Sequence, residues 1–268
     1  MDLYDRTLVK WPVLYETLYV PTRHGDTFVI ISGKTEAPPL ILLHGSCSNA
    51  LSFMGDVPEY SRSFRLYAVD IPGEAGKSSP NRPDWNCPAF AEWMEDLFSG
   101  LGIHKATLLG ISLGGWTALK FAVHRPESVE KLVLLSPGGI VSAKLSFILG
   151  AVVFSMFGRR GAEKINRIVF GKQPVDERAV RFVNTIMTHF KARIGVQNLY
   201  TDEELSRLTM PALLVVGAQD AVIPVGKTAA RMKRLVSCLK VEMLADMGHV
   251  LYNIAPVIMR FLTEERQK

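Results

Sequence analysis

Three residues of this 268-residue chain have the types and the order needed for nucleophilic acyl chemistry: Ser112, Asp220 and His249. A serine hydroxyl is barely nucleophilic at neutral pH, so it needs a histidine to take its proton and return it to the leaving group. The imidazole needs a carboxylate on its other nitrogen, which fixes the tautomer and stabilises the imidazolium. Ser112 lies in Gly110-Ile111-Ser112-Leu113-Gly114, a G-x-S-x-G pattern. An apolar run at 106–109 precedes it, and Leu113, Trp116, Leu119, Phe121 and Val123 follow at helical spacing. This is the setting of a nucleophile elbow, a strand-to-helix turn too tight for side chains two positions either side of the serine. Alone, the pattern also admits a serine that merely caps the helix starting at Leu113, the weaker reading because a cap needs no flanking glycines.

Asp220 follows an apolar run at 212–216, and His249 follows one at 239–244. Taken singly, Asp220 reads as a turn former before Ile223-Pro224 and His249 as a loop residue. Taken together, all three stand where buried strands end, which is where sites collect in an open α/β sheet. Asp246 competes as the acid, but three residues from His249 on one loop it is poorly placed to reach round the ring. After the run at 132–135 stands Ser136-Pro137-Gly138, with no acid. A tetrahedral intermediate also needs two preorganised donors for its oxyanion, each worth on the order of 3 kcal/mol. The backbone N–H of Leu113, at the helix start, supplies one. Ser46, just past His44-Gly45, is expected to supply the second, with Cys47 as the fallback. His44 reads as a hydrogen bonder that orients this loop.

The elements that must position these residues follow from periodicity. Residues 15–20 and 28–32 read as strands around the turn His24-Gly25-Asp26, an antiparallel hairpin. The runs at 40–43, 64–69, 106–109 and 132–135 lack polar alternation, as strands buried on both faces do. Helices are expected at 88–101 and from Leu113 to the Arg125-Pro126 stop. From 140 to 209 the strand signal gives way to helical segments at 145–157, 163–170 and 176–193. The first of these is apolar almost throughout, yet shorter than the ~20 residues a membrane span needs. Strands at 212–216 and 239–244 and helices at 227–235 and 254–262 complete the chain. The fold class is α/β: a mostly parallel sheet flanked by helices, with a core of 1–139 and 210–268 and an inserted helical cap of 140–209.

Hydrophobic residues make up 48% and charged residues 21%, the composition of a folded globular protein. The net charge of +5 is scattered, without the basic runs or modules of a nucleic-acid binder, so no nucleic-acid partner is expected. Cys47, Cys87 and Cys238 are few and widely spaced, which suggests neither a disulfide framework nor a zinc site. The first twenty residues mix acids and bases with no apolar core, so no secretory signal is read and a cytoplasmic location is expected.

The chain resembles a lidded, esterase-like α/β-hydrolase along nearly its whole length. The resemblance rests on His44-Gly45, Asp70-Ile71-Pro72-Gly73 with Gly76 and Ser78, the elbow 110–115, Gly217 with Asp220, and Gly248-His249. The order Ser112, Asp220, His249 is also that of the family. It implies an eight-stranded, mostly parallel sheet, a cap inserted after the sixth strand, and a hydrolase without metal or cofactor. The expected partner is a small, largely apolar ester, and the reading leaves room for a homodimer. The same residues also serve lactones, thioesters, carbon–carbon bond hydrolysis, perhydrolysis or a slow-turnover receptor. Epoxide and haloalkane hydrolases are disfavoured, because they resemble this fold with an aspartate where Ser112 stands. Two departures stand out: Glu74-Ala75 puts two residues where relatives have one between the loop glycines, and Ser46 is small and polar where they are often bulky.

Overall fold

A computed structural model describes residues 2–171, 177–193, 195 and 197–264. After helix α1 (Asp2–Leu8) come strands β1 (Tyr15–Val20), β2 (Thr27–Ser32) and β3 (Pro39–Leu43), the short helix α2 (Val57–Tyr60) and β4 (Arg65–Val69). Then follow α3 (Ala89–Gly100), β5 (Ala106–Ile111), α4 (Leu113–His124) and β6 (Val129–Leu135). Between β6 and β7 (Ala212–Gly217) lie α5 (Leu145–Ser155), α6 (Gly158–Phe170), α7 (Glu177–His189) and α8 (Asp202–Ser206). The chain closes with α9 (Val225–Leu235), β8 (Leu239–Leu244) and α10 (Ala255–Thr263).

The strands form one eight-stranded sheet in the order β1-β2-β4-β3-β5-β6-β7-β8. Its first three strands pair antiparallel and the rest parallel. Side chains alternate across it, as a pleated strand requires. Ile41, Leu43, Leu108, Leu132, Leu134, Leu214 and Val216 face the core built with α3, α4 and α9. Leu40, Leu42, Leu109, Val133, Leu135, Leu213 and Val215 face the opposite core, with α1, α2 and α10. Both faces are therefore covered, which is why these strands read as unbroken apolar runs. From β3 the chain goes to β4 on one side and later to β5 on the other. The crevice between the ends of β3 and β5 is thus the switch point at which ligands bind in such sheets.

The segment between β6 and β7 leaves and rejoins the core at one place. Tyr200 N–H donates to the Gly139 carbonyl at 2.8 Å, and Tyr200 Oη donates to the Trp116 carbonyl at 2.5 Å. The Arg231 guanidinium on α9 donates to the carbonyls of Ile140 and Tyr200. Its middle is less covered: Leu145, Leu149 and Val153 on α5 and Met156 just after it are all more than half exposed. Among the described residues, no helix is long and apolar enough to cross a membrane.

Candidate active site

The end of β5 passes into α4 through Ser112, whose φ of 49° and ψ of −105° lie outside the regions an ordinary L-residue favours. Its side chain makes no cap hydrogen bond, so it is free to face outward from the turn. The turn is tight enough to dictate its glycines. A Cβ on Gly110 would lie 2.3 Å from the Gly114 carbonyl oxygen, and one on Gly114 would lie 2.0 Å from that of Leu43. Ser112 N–H donates to the Leu135 carbonyl at 2.8 Å, tying the strained residue to the neighbouring strand β6. Such strain persists only where the surroundings over-determine it.

The loops after β7 and β8 bring Asp220 and His249 to the same crevice. His249 Nδ1 lies 2.7 Å from Asp220 Oδ2, and His249 Nε2 lies 3.0 Å from Ser112 Oγ. With the carboxylate on Nδ1, that nitrogen carries the proton and Nε2 is left to accept from the serine hydroxyl. Asp220 Oδ1 accepts the N–H groups of Val222 at 2.7 Å and Ile223 at 3.0 Å. Burial alone would raise this carboxyl. The His249 hydrogen bond and charge and the two amides outweigh it and hold the group below the ordinary carboxylate range.

The loop after β3 borders Ser112. A Cβ on Gly45 would sit 3.7 Å from that of Ser112. Ser46, next along, is exposed. His44 is fully buried, donates from Nδ1 to the Gly45 carbonyl at 2.8 Å and accepts the Ile71 N–H on Nε2 at 2.9 Å. Burial depresses its pKa to about 4, so at neutral pH it is an uncharged strut between two loops. Cys47 has a φ of 52°, and its N–H donates to Glu74 Oε2 at 2.7 Å. Of the two donors weighed for the oxyanion, Cys47 is thus already committed elsewhere. Leu113 is the first residue of α4, and an N–H at that position has no intrahelical acceptor.

These features fit one family, and the comparisons agree. A family profile described as the alpha/beta hydrolase fold matches residues 38–162. Carboxylesterase YbfK of Bacillus subtilis (strain 168) is 34% identical over 258 residues, spanning 92% of this chain and 86% of that protein. The chain belongs to the α/β-hydrolase family. The crystal structure of carboxylesterase CesB (YbfK) from Bacillus subtilis matches this α/β-hydrolase with a TM-score of 0.89 and 31% identity, over 98% of this chain and 96% of that one. Naproxen esterase (carboxylesterase NP) from Bacillus subtilis matches with a TM-score of 0.86 and 29% identity, over 98% and 96%.

Within this α/β-hydrolase, two contacts at the site went unread in the sequence. Glu74, one of the two residues that lengthen the loop after β4, reaches the Cys47 backbone. Burial pushes its carboxyl up to about 7 against the opposing effects of the Cys47 N–H, Arg82 and Arg193. The Val169 carbonyl, in the last turn of α6, accepts the N–H groups of His249 at 3.1 Å and Val250 at 3.3 Å. The lengthened loop is a sequence signal for the first contact. The second joins segments eighty residues apart and leaves no local signature.

Proposed function

We propose that this α/β-hydrolase cleaves small, largely apolar carboxylic esters through an acyl-enzyme, with Ser112 as nucleophile, His249 as general base and acid, and Asp220 as its orienting carboxylate. The observation that carries this reading is the continuous hydrogen-bond chain from Ser112 Oγ through His249 to Asp220. Ser112 Oγ attacks the ester carbonyl while His249 Nε2 takes its proton. The carbonyl π electrons move onto oxygen, and the resulting oxyanion accepts hydrogen bonds from the N–H groups of Leu113 and Ser46. Collapse expels the alkoxide, which leaves as alcohol with the proton from His249. Water, deprotonated by the same nitrogen, then attacks the acyl-serine, and the second collapse releases the acid and restores Ser112.

Residues 140–209 form the cap over this site in our reading, and the rest of the chain forms the core. Cap helix α5 carries no charged side chain between Leu145 and Ser155, which supports an apolar substrate. A fluorophosphonate probe should label the wild-type protein but not Ser112→Ala, and Ser112→Ala should retain the fold while losing turnover of p-nitrophenyl butyrate. Retained turnover would overturn the mechanism. Equal rates on short charged esters would overturn the apolar preference.

A further inference from the structure

We propose that Glu74 is a positioning residue that preorganises the Ser46 N–H as the second oxyanion donor, by holding the peptide plane that follows it. This rests on the ester-hydrolase reading above. A trans peptide is planar, with its C=O and N–H pointing in opposite directions. The orientation of Ser46 N–H is therefore set by what its own plane and the next one are bonded to. The Gly45 carbonyl, which shares a plane with the Ser46 N–H, accepts from His44 Nδ1, so the Ser46 N–H points away from the His44 ring. The Cys47 N–H, in the following plane, donates to Glu74 Oε2. Both planes flanking the Ser46 Cα are thus anchored from the buried side, and rotation of either would break a hydrogen bond.

The anchor is needed because the loop is strained and has little else to hold it there. Cys47 has a positive φ of 52°, in a region a residue with a Cβ rarely enters. Gly45 permits close approach to Ser112 but brings no side chain to fix the backbone. Further along, the Asn49 side-chain amide donates to the Ala75 carbonyl and the Ala50 N–H to Asp70 Oδ1, so the two loops are laced together beyond Cys47. At Cys47 itself the contact comes from Glu74. The positive charges of Arg82 and Arg193 act on its carboxyl and oppose the effect of burial. Arg82 is held by the Gly73 and Lys191 carbonyls, and Arg193 stacks 3.7 Å over the Trp85 ring, so the acid has fixed surroundings. A donor aimed before the reaction costs no reorganisation when the oxyanion forms, which is the source of its catalytic effect.

The test compares wild type, Glu74→Ala, Glu74→Gln and Ser112→Ala with p-nitrophenyl butyrate, alongside inhibition by an aryl trifluoromethyl ketone, whose serine adduct places an oxyanion in the hole. Glu74→Ala is expected to lower kcat by at least tenfold with KM within threefold, and to weaken the ketone in proportion to kcat. Glu74→Gln keeps an oxygen that accepts from Cys47 N–H and is expected to stay within threefold of wild type in all three quantities. A Glu74→Ala kcat within threefold of wild type overturns the proposal. So does a kcat loss with unchanged ketone affinity, or a Glu74→Gln as impaired as Glu74→Ala. Should Glu74→Ala fail to fold, Glu74→Asp, whose shorter chain withdraws the acceptor from Cys47, takes its place with the same outcomes. Activity surviving in Ser112→Ala would instead overturn the underlying hydrolase reading, independently of what Glu74 does.

Discussion

Replacing Asp220 by asparagine separates orientation of the base from support of the fold, because the two carboxylate oxygens have different partners. Oδ1 receives the N–H groups of Val222 and Ile223, and Oδ2 receives His249 Nδ1–H. An asparagine amide can place its oxygen at only one of these positions. An NH2 at the Oδ1 position would face two N–H donors, so the oxygen stays there and the NH2 turns to His249. Nδ1 must then accept, the proton moves to Nε2, and the ring presents a donor to Ser112 Oγ instead of an acceptor. A wrong tautomer of this kind costs about 10⁴-fold in kcat, or about 5.5 kcal/mol at 1.36 kcal/mol per decade. The fold should barely change, since both amides keep their acceptor. Asp220→Ala removes that acceptor as well and leaves two N–H groups short of a partner, at about 1–3 kcal/mol each. Its Tm should fall by roughly 5–20 °C. Measuring kcat and Tm for both variants tests the assignment. An Asp220→Asn kcat within tenfold of wild type, or a Tm loss matching that of Asp220→Ala, would refute it.

Gly114→Ala would force a Cβ to 2.0 Å from the Leu43 carbonyl oxygen, so it should destabilise by more than the ~3 kcal/mol of ordinary overpacking. Gly55→Ala, with nothing within 4 Å of its new methyl, should stay within about 0.5 kcal/mol of wild type, and urea unfolding of the pair tests the elbow geometry. Glu74 also predicts a pH effect. Its folded-state pKa near 7 exceeds the ordinary 4.5, so the unfolded chain ionises first. The stability of the wild type should then fall relative to Glu74→Gln as pH rises from 5 to 7, by about 2 kcal/mol. Urea titrations of both proteins at pH 5 and pH 8 check this, and a difference that stays constant or shrinks towards pH 8 contradicts it.

The sheet and the elbow were legible in the sequence because both are written in local patterns. A strand covered on both faces shows as an uninterrupted run, as at Leu40 to Leu43, and the elbow shows in two glycines that steric contact makes obligatory. Boundaries were less legible. β5 continues through Gly110 to Ile111 because those residues pair with Leu134 and Leu135, a partner in another segment overriding glycine's weak local preference. Helix α1 escaped because seven residues carry barely one repeat, although Tyr4 and Leu8 bury one turn apart. Helix α8 was available in principle, since Thr201 and Glu204 form a capping box. The expected start of the third cap helix, at 176, lies outside the described residues, and α7 is described from Glu177. At the site, the residue types and strand ends were readable, but the partners of Cys47 and His249 were not. They are contacts between loops, and nothing in the spacing of one loop records what another brings to it.

Those unread contacts bear on how the cap and the chemistry are joined. Ser112 is bound to the sheet through the Leu135 carbonyl, so its position follows the core. His249 and Asp220 are different. The His249 N–H is held by the Val169 carbonyl at the end of α6, and Lys144, just before α5, donates from Nζ to the Asp220 carbonyl and from its backbone to that of Val222. A helix end leaves its last carbonyls without intrahelical donors, and here the loop carrying His249 supplies donors to that of Val169. Removing or re-seating α6 would therefore orphan both its Val169 carbonyl and the His249 amide, and would loosen His249 relative to Ser112 by the same event. If residues 140–209 screen the substrate as proposed, the same segment also supports His249, so changes in its sequence should alter kcat as well as KM.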